Sequence, residues 1–437
     1  MSHPSRHVRS RTKRGAPLPR NLEVEIAALG GRGDGIASHQ GEPVFVPYTV
    51  PGDRVVVRID GRRGDGLVAW PLQVLTGGPG RVEPPCRHFG RCGGCSLQHL
   101  DGAAYVAWKR GLLVEALARA GFDCEAVGPL LCIAPGSRRR AAFAFARRRG
   151  RLAVGFNTKG SHEVVDLAQC RLVAPQLIDL LPPLRDLLPA LIDEGREGDA
   201  VASLTEAGID LLVEADARLD LFDRERLAAF ADSQDLARLS WRRPGGELIE
   251  PLACRRPPVV RFAGVGVVLP PGGFLQPSRE GEDALASLVV AAIGTCTPVA
   301  DLYAGCGSFT FPLARMAAVH AVEGDAAALR ALSAAAGESP GRVTTENRDL
   351  ARRPLSAEEL KRFQAVVFDP PRVGAAAQAE ILAAAGPPLI VAVSCNPATL
   401  ARDARILAKG GYRLRQATPV DQFPWSAHLE AVAVFER

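Results

Sequence analysis

No stretch of the chain reaches the roughly 18 uninterrupted apolar residues that a membrane-spanning helix needs. The Ala-rich run after Val373 is broken by Gln378, Glu380 and Pro387-Pro388. Nor does an apolar segment follow the basic N-terminus, as it would in a secretory signal. These absences point to a cytoplasmic protein. The composition, 47% hydrophobic and 23% charged, lacks the bias of disordered or fibrous chains. At 437 residues the chain exceeds one ordinary core, and three domains are expected. Ten cysteines in so long a chain do not indicate a disulfide scaffold; where they cluster, metal binding or catalysis is the better reading.

Acidic residues are missing from the first 20 positions. Arg6, Arg9, Arg11, Lys13, Arg14 and Arg20 give that tail more positive charge than the net +5 of the whole chain. A second basic group, Arg138 to Arg140, Arg147 to Arg149 and Arg151, brackets an apolar AAFAFA segment with no acid between. Both read as surface for phosphates, as a nucleic acid would offer, against the plainer alternative of a solvated tail and an arginine-rich face.

Residues 21–78, after the 1–20 tail, read as short strands separated by Gly-rich turns, a small all-β barrel. The pattern Gly33-Asp34-Gly35-Ile36-Ala37, Val44-Phe45-Val46-Pro47, Pro51-Gly52-Asp53 resembles a TRAM domain, an OB-like RNA-binding barrel. Residues 79–265 form a less legible α+β region. In it AAFAFARRRGRLAVGFNTKG predicts a hairpin with Phe143 and Phe145 on one face, and helical stretches follow near Leu177 to Ile192. From 266 to 437, strands PVADLY, VHAVE, RVTTEN, AVVFD and PPLIVAVS alternate with helical segments, and YRLRQATPV and LEAVAVFE close the chain as a hairpin. This α/β alternation predicts a parallel, doubly wound, Rossmann-like sheet with its ligands at the carboxyl ends of the strands.

Informative residues do follow those strands. After the first comes a GxG turn, Ala304-Gly305-Cys306-Gly307-Ser308-Phe309, where Thr310 stands in place of the dinucleotide fingerprint's third glycine. Glu323 ends the second strand, placed for ribose hydroxyls, and Asp349 follows the third, placed for adenine. This arrangement resembles a class I methyltransferase. The fourth strand runs into Asp369-Pro370-Pro371-Arg372 and the fifth into Ser394-Cys395-Asn396-Pro397; then come Asp421-Gln422-Phe423-Pro424 and His428-Leu429-Glu430. With Phe274-Leu275-Gln276, these segments resemble the RNA uracil-5-methyltransferase family over nearly the whole chain.

The resemblance implies S-adenosylmethionine as cofactor and RNA as substrate. It implies Cys395 as the nucleophile that adds to carbon 6 of uracil, making carbon 5 able to attack a sulfonium methyl. A base must then remove the carbon 5 hydrogen, and Glu430 is the candidate. Gln276, Tyr303, Gly305, Ser308, Glu323, Asp349 and Asp369 are expected at the cofactor, Gln276 and Asp369 also at the uracil. Ser278 stands where the family usually has Asn, which puts that contact in question. Each residue has a plainer alternative: a buried strand-end thiol for Cys395, a turn cap for Asp369, a surface acid for Glu430. His428 is read as an orienting residue, and Cys124, Cys132, Cys254, Cys296 and Cys306 as structural.

Cys86, Cys92 and Cys95, spaced C-x5-C-x2-C, are joined by Cys170. Four thiolates suit zinc or an iron–sulfur cluster, and spacing does not choose. Resemblance to the family's ribosomal branch favours [4Fe-4S]; the C-x3-C-x2-C of radical enzymes is absent. The same branch points to a single-stranded loop of 23S ribosomal RNA and a monomeric enzyme. A transfer-RNA uracil methyltransferase, and a non-catalytic RNA-binding or ribosome-assembly protein with a relict fold, are the alternatives. Cytosine-5 chemistry is disfavoured because Asp369-Pro370-Pro371-Arg372 carries no cysteine, and amino-group methylation because no aromatic follows the prolines.

Overall fold

The computed structural model describes residues 20–246, 248–337 and 342–437. All of the basic tail except Arg20 lies outside the described residues. The described chain divides into two compact units, one of residues 20–82 with 99–101, the other of residues 83–98 with 102–437.

In the first unit, β1 (Asn21–Glu25), β2 (Ala28–Leu29), β3 (Gly35–His39), β4 (Glu42–Val46), β5 (Arg54–Arg63) and β6 (Gly66–Thr76) form one sheet in the order β1-β5-β6-β4-β3-β2. Val24, Val44, Val46, Val55, Val57 and Leu67 fill its core. The pairing recorded among the described residues is an open series, so strand pairing does not close the barrel expected from the sequence; a β-rich unit is what stands. The Pro51-Gly52-Asp53 motif has a physical role here. Asp53 is buried and accepts from the backbone N–H groups of Val50 and Gly78 and from Arg81, fastening the turn to the end of the unit.

The second unit starts with the cysteine-bearing loop and α1 (Gly102–Arg119), then β7 (Leu131–Cys132). A seven-stranded sheet follows, made of β8 (Arg140–Arg148), β9 (Arg151–Asn157), β10 (Val164–Asp166), β11 (Glu197–Thr205), β12 (Gly208–Ala215), β13 (Arg238–Arg242) and β14 (Ile249–Cys254), ordered β10-β9-β8-β11-β12-β13-β14. The predicted hairpin is β8–β9, with Phe143 and Phe145 wholly buried, and α2 (Pro175–Asp179) and α3 (Leu181–Leu187) supply Leu177, Leu181 and Leu184 to the same core. Three arginines of this basic group have partners within the protein, while Arg149 and Arg151 are exposed. Arg139 is buried on Glu282 at 2.7 Å, Arg147 donates to the carbonyls of Pro189 and Ile192, and Arg148 pairs with Glu197. The partners of Arg139 and Arg147 are remote in sequence, so local charge alone does not announce them.

After α4 (Leu221–Ser233) and the hairpin β15 (Val259–Phe262)–β16 (Val265–Val268), α5 (Arg279–Ile293) leads into the C-terminal sheet. Its strands are β17 (Val299–Leu302), β18 (Val319–Glu323), β19 (Val343–Asn347), β20 (Ala365–Phe368), β21 (Leu389–Ser394), β22 (Arg413–Asp421) and β23 (Glu430–Glu436). The order is β19-β18-β17-β20-β21-β23-β22-β7, parallel through β21 and antiparallel at β23. Val366, Phe368, Ile390 and Ala392 face one core; Ala365, Val367, Val391 and Val393 face the other. Such period-two alternation of wholly apolar strands is what burial on both faces requires. Each fully buried Val, Ile or Phe contributes roughly 1.5–3 kcal/mol, so this sheet is a rigid platform for the residues at its edge. Among the described residues no helix is long and apolar enough to cross a membrane.

Candidate active site

Strand order reverses beside β17, whose neighbours are β18 and β20. Connections leave to opposite sides at such a point, and the crevice left outside the strand ends receives ligands. The turn after β17 is built for close approach. Tyr303 and Gly305 have φ of 61° and 56°, and at Gly307, φ 99°, a Cβ would lie 2.5 Å from the Phe311 ring. Only glycine satisfies position 307. Glu323, at the end of β18, accepts from Gly305 N–H at 2.8 Å and from Asp325 N–H at 2.7 Å. Those bonds fix its carboxylate while leaving lone pairs for a further donor. Tyr303 is half-buried; burial, with Asp403, Asp349 and Glu323 nearby, pushes its phenol up to about 12. Glu323 and Asp349 are thus near enough to Tyr303 for their charges to act on its phenol. Ser308 is half-buried just beyond Gly307. Asp349 also closes its own turn, accepting from Ala351 N–H.

Asp369 follows β20, and its N–H donates to Leu302 O across the switch. Cys395 follows β21, in a turn held by Ser394 Oγ, which accepts from Asn396 N–H at 3.2 Å. Asn396 caps the helix Pro397–Lys409 and donates to Arg372 O, tying together the turns that carry Cys395 and Asp369. In the antiparallel pair β21–β23, Ser394 opposes Ala431. Extending that register by one residue sets Cys395 opposite Glu430, on strands roughly 4.8 Å apart. Nucleophile candidate and base candidate thus come from the ends of adjacent strands.

The electrostatics agree with this proximity. Burial, then Glu430 and Asp369, push the Cys395 thiol up to about 11, with Arg372 opposing. Glu430 is itself buried and raised by burial and by Asp369, while a hydrogen bond from Gln422 opposes. Burial likewise raises Asp369. Carboxylates this close, out of water, do not ionise together easily. Gln276 is buried and accepts from Gln422 Nε2 at 2.8 Å, which brings the Phe274-Leu275-Gln276 segment to the same place. Ser278 caps α5 by accepting from Gly281 N–H, so here it serves the helix. His428 is exposed at the rim, its ring 5.7 Å from that of Phe423.

Two residues escaped the sequence reading. Asp301 on β17 is wholly buried, accepts from Thr310 Oγ at 2.5 Å on one oxygen, and has no partner for the other. Burial pushes it up to about 7 despite Thr310. Gln422 had been noted only as part of a motif, with no signal of its bond to a residue 146 positions away.

Cys86, Cys92, Cys95 and Cys170, all half-buried, line one cavity with Phe156 and Leu167. Gly94 N–H points at Cys92 Sγ (3.5 Å) and Leu172 N–H at Cys170 Sγ (3.4 Å). Gly93 packs so closely that a Cβ would lie 2.8 Å from Asn157 O. Among the described residues no group of three or more His, Cys, Asp or Glu is arranged as a formed metal site. Of the five cysteines expected to be structural only Cys306 is buried; Cys124, Cys132 and Cys254 are exposed, so core packing does not account for those three.

Residues 271–437 match the family described as tRNA (Uracil-5-)-methyltransferase. An uncharacterised RNA methyltransferase of Rhizobium meliloti is 44% identical over 422 residues, 95% of this chain and 99% of the relative. The 23S rRNA (uracil(1939)-C(5))-methyltransferase RlmD of Pectobacterium atrosepticum is 33% identical over 447 residues, 99% of this chain and 96% of the relative. Among solved structures, the Pyrococcus abyssi tRNA (uracil-54, C5)-methyltransferase in complex with S-adenosyl-L-homocysteine superposes with a TM-score of 0.74 at 23% identity, covering 95% of this chain and all of that one. That likeness is one of fold.

Proposed function

The chain belongs to the RNA uracil-5-methyltransferase family, and from that premise we propose that it methylates carbon 5 of a uridine in a single-stranded loop of 23S ribosomal RNA. The observation that carries the mechanism is the register that sets Cys395 opposite Glu430 beside Asp369. S-adenosylmethionine fits the crevice after β17, where the glycine turn admits a ligand against the backbone and Glu323 is held ready for ribose hydroxyls. Gln276, Tyr303, Gly305, Ser308, Glu323, Asp349 and Asp369 would hold it. Bound there, it supplies an electrophilic methyl group.

Cys395 gives up its thiol proton to solvent and, as the thiolate, forms a bond from its sulfur to carbon 6 of the uracil, and the carbon 5–carbon 6 electron pair moves toward carbon 5 and the adjoining carbonyl. Methyl transfer leaves carbon 5 carrying both methyl and hydrogen. Glu430 then takes that proton, the double bond re-forms, and the sulfur–carbon pair returns to Cys395. The raised basicity of Glu430 suits this task, since a carboxylate held in an apolar setting is a stronger base than one in water. Arg372 is the cation nearest in effect to the thiol and favours its ionised form. RNA must offer the uracil unstacked, which costs a few kcal/mol and is easiest in a loop.

The test is a map of 5-methyluridine in total RNA from a strain lacking this gene. One 23S site should lose its methyl group and regain it with the parent gene but not with the Cys395→Ser form. Loss confined to transfer RNA would instead favour the transfer-RNA reading.

We assign Cys86, Cys92, Cys95 and Cys170 to a [4Fe-4S] cluster in preference to zinc, supported by four thiols on one cavity and by N–H groups directed at two of the sulfurs. A cluster there would crosslink the 86–95 loop to the segment around Cys170. Anaerobically purified protein should be brown with about four irons per chain, and losing any one of the four cysteines should weaken it. A colourless preparation holding one tight zinc would reverse the assignment. The enzyme is further read as a cytoplasmic monomer.

A further inference from the structure

The turn between β22 and β23 runs from Gln422 to Leu429, between Asp421 at the end of one strand and Glu430 at the start of the next. Gln422 is buried, bonded to Gln276, and boxed by α5, since a Cβ at Gly281 would lie 2.6 Å from its Oε1. What fixes the rest of the turn comes from α1. Lys109 is fully buried, and its ammonium meets Asp421 Oδ1 at 2.8 Å, Ser426 O at 2.8 Å, Phe423 O at 3.0 Å and Tyr105 Oη at 3.1 Å. Tyr105 donates its hydroxyl to Asp421 Oδ2 at 2.6 Å and accepts from Trp425 N–H at 2.9 Å. A buried ion is retained where its partners are fixed around it, and such pairs specify a geometry better than they stabilise one.

Two further contacts brace the same turn. Trp425 O accepts from the N–H groups of Ser96 and Leu97, the residues next to Cys95. The Arg138 guanidinium lies 5.6 Å from the Phe423 ring. Trp425 itself has φ 57°, a left-handed conformation that a bulky residue keeps only under outside constraint. Cys395 draws on none of this, because its turn is held by Ser394, Asn396 and the helix behind them.

We propose that Tyr105 and Lys109 are positioning residues for Glu430, acting through Asp421 and the turn that follows it. The inference rests on the reading of Glu430 as the base. Disturbing this brace slows removal of the carbon 5 proton more than it slows addition by Cys395 or methyl transfer, so the covalent protein–RNA adduct accumulates.

Tyr105→Phe in the full-length protein is the informative variant, since it removes the hydroxyl and keeps the ring. Its kcat should fall about tenfold with the KM for S-adenosylmethionine within about twofold of the parent, and the share of RNA in a denaturation-resistant adduct should rise several-fold. Lys109→Met should show the same split more strongly. If that variant does not fold, Tyr105→Phe decides alone. A lower Tm with the adduct at the parent level would show a role in stability only and overturn the proposal, as would unchanged kcat and adduct. Whether Glu430 is the base is read separately, from Glu430→Gln, so the two failures are distinguishable.

Discussion

Cys395→Ser should lose methyl transfer by at least roughly 10³-fold while still binding S-adenosylmethionine, because the thiol acts on the uracil and not on the cofactor. A serine hydroxyl in this setting has no route to the anion. Even the thiol is pushed up to about 11 by burial, Glu430 and Asp369, and oxygen is the far weaker acid. The check is tritium transfer from labelled S-adenosylmethionine to RNA, beside a calorimetric titration of the cofactor. Turnover near the parent rate would remove Cys395 from the mechanism. Loss of cofactor affinity together with transfer would show that the turn, rather than the thiol, had been damaged.

Glu430→Gln separates the second half of the reaction from the first. With Cys395 intact, addition and methyl transfer should proceed, and release should slow by about 10²–10⁴-fold, the range over which a positioned base acts. A labelled protein–RNA adduct that survives denaturation should result, and the double variant lacking Cys395 should give none. In the parent enzyme, burial and Asp369 raise Glu430, so its ionised fraction grows as pH rises through a range above that of an ordinary carboxylate. Release should therefore speed up with rising pH, and that dependence should vanish in Glu430→Gln. Parent-rate turnover without an adduct would transfer the role elsewhere, with His428 at the rim the next residue to replace.

Much of this was legible before any coordinates. The strands of the C-terminal sheet are apolar runs ended by charged or glycine-rich turns, and each predicted strand from PVADLY to LEAVAVFE is present. Parallel sheets place their chemistry at strand ends, where Glu323, Asp369 and Cys395 stand, and the family resemblance is what implied roles for Asp369 and Cys395 there. What stayed hidden depends on distance along the chain. The Arg139–Glu282 pair spans 143 residues and the Lys109–Asp421 pair lies in segments 312 apart by number, so no local pattern announces either. Asp301 was overlooked because an acid inside a strand reads as one polar break in an apolar run, and only the fold shows it without water.

The register that sets Glu430 across from Cys395 also makes the site sensitive to parity. Side chains alternate along a strand, so a slip of one place in the β21–β23 pairing would turn the carboxylate to the opposite face and bring Leu429 or Ala431 across from the thiol. A slip of two would restore the face but carry the carboxylate about 7 Å along the strand, out of reach of the same carbon. Odd shifts fail by direction and even ones by distance. Insertions and deletions within β23 should therefore be far less tolerated than substitutions there, while the irregularity in β22 between Leu414 and Gln416 marks where the hairpin can absorb an extra residue without disturbing its far end.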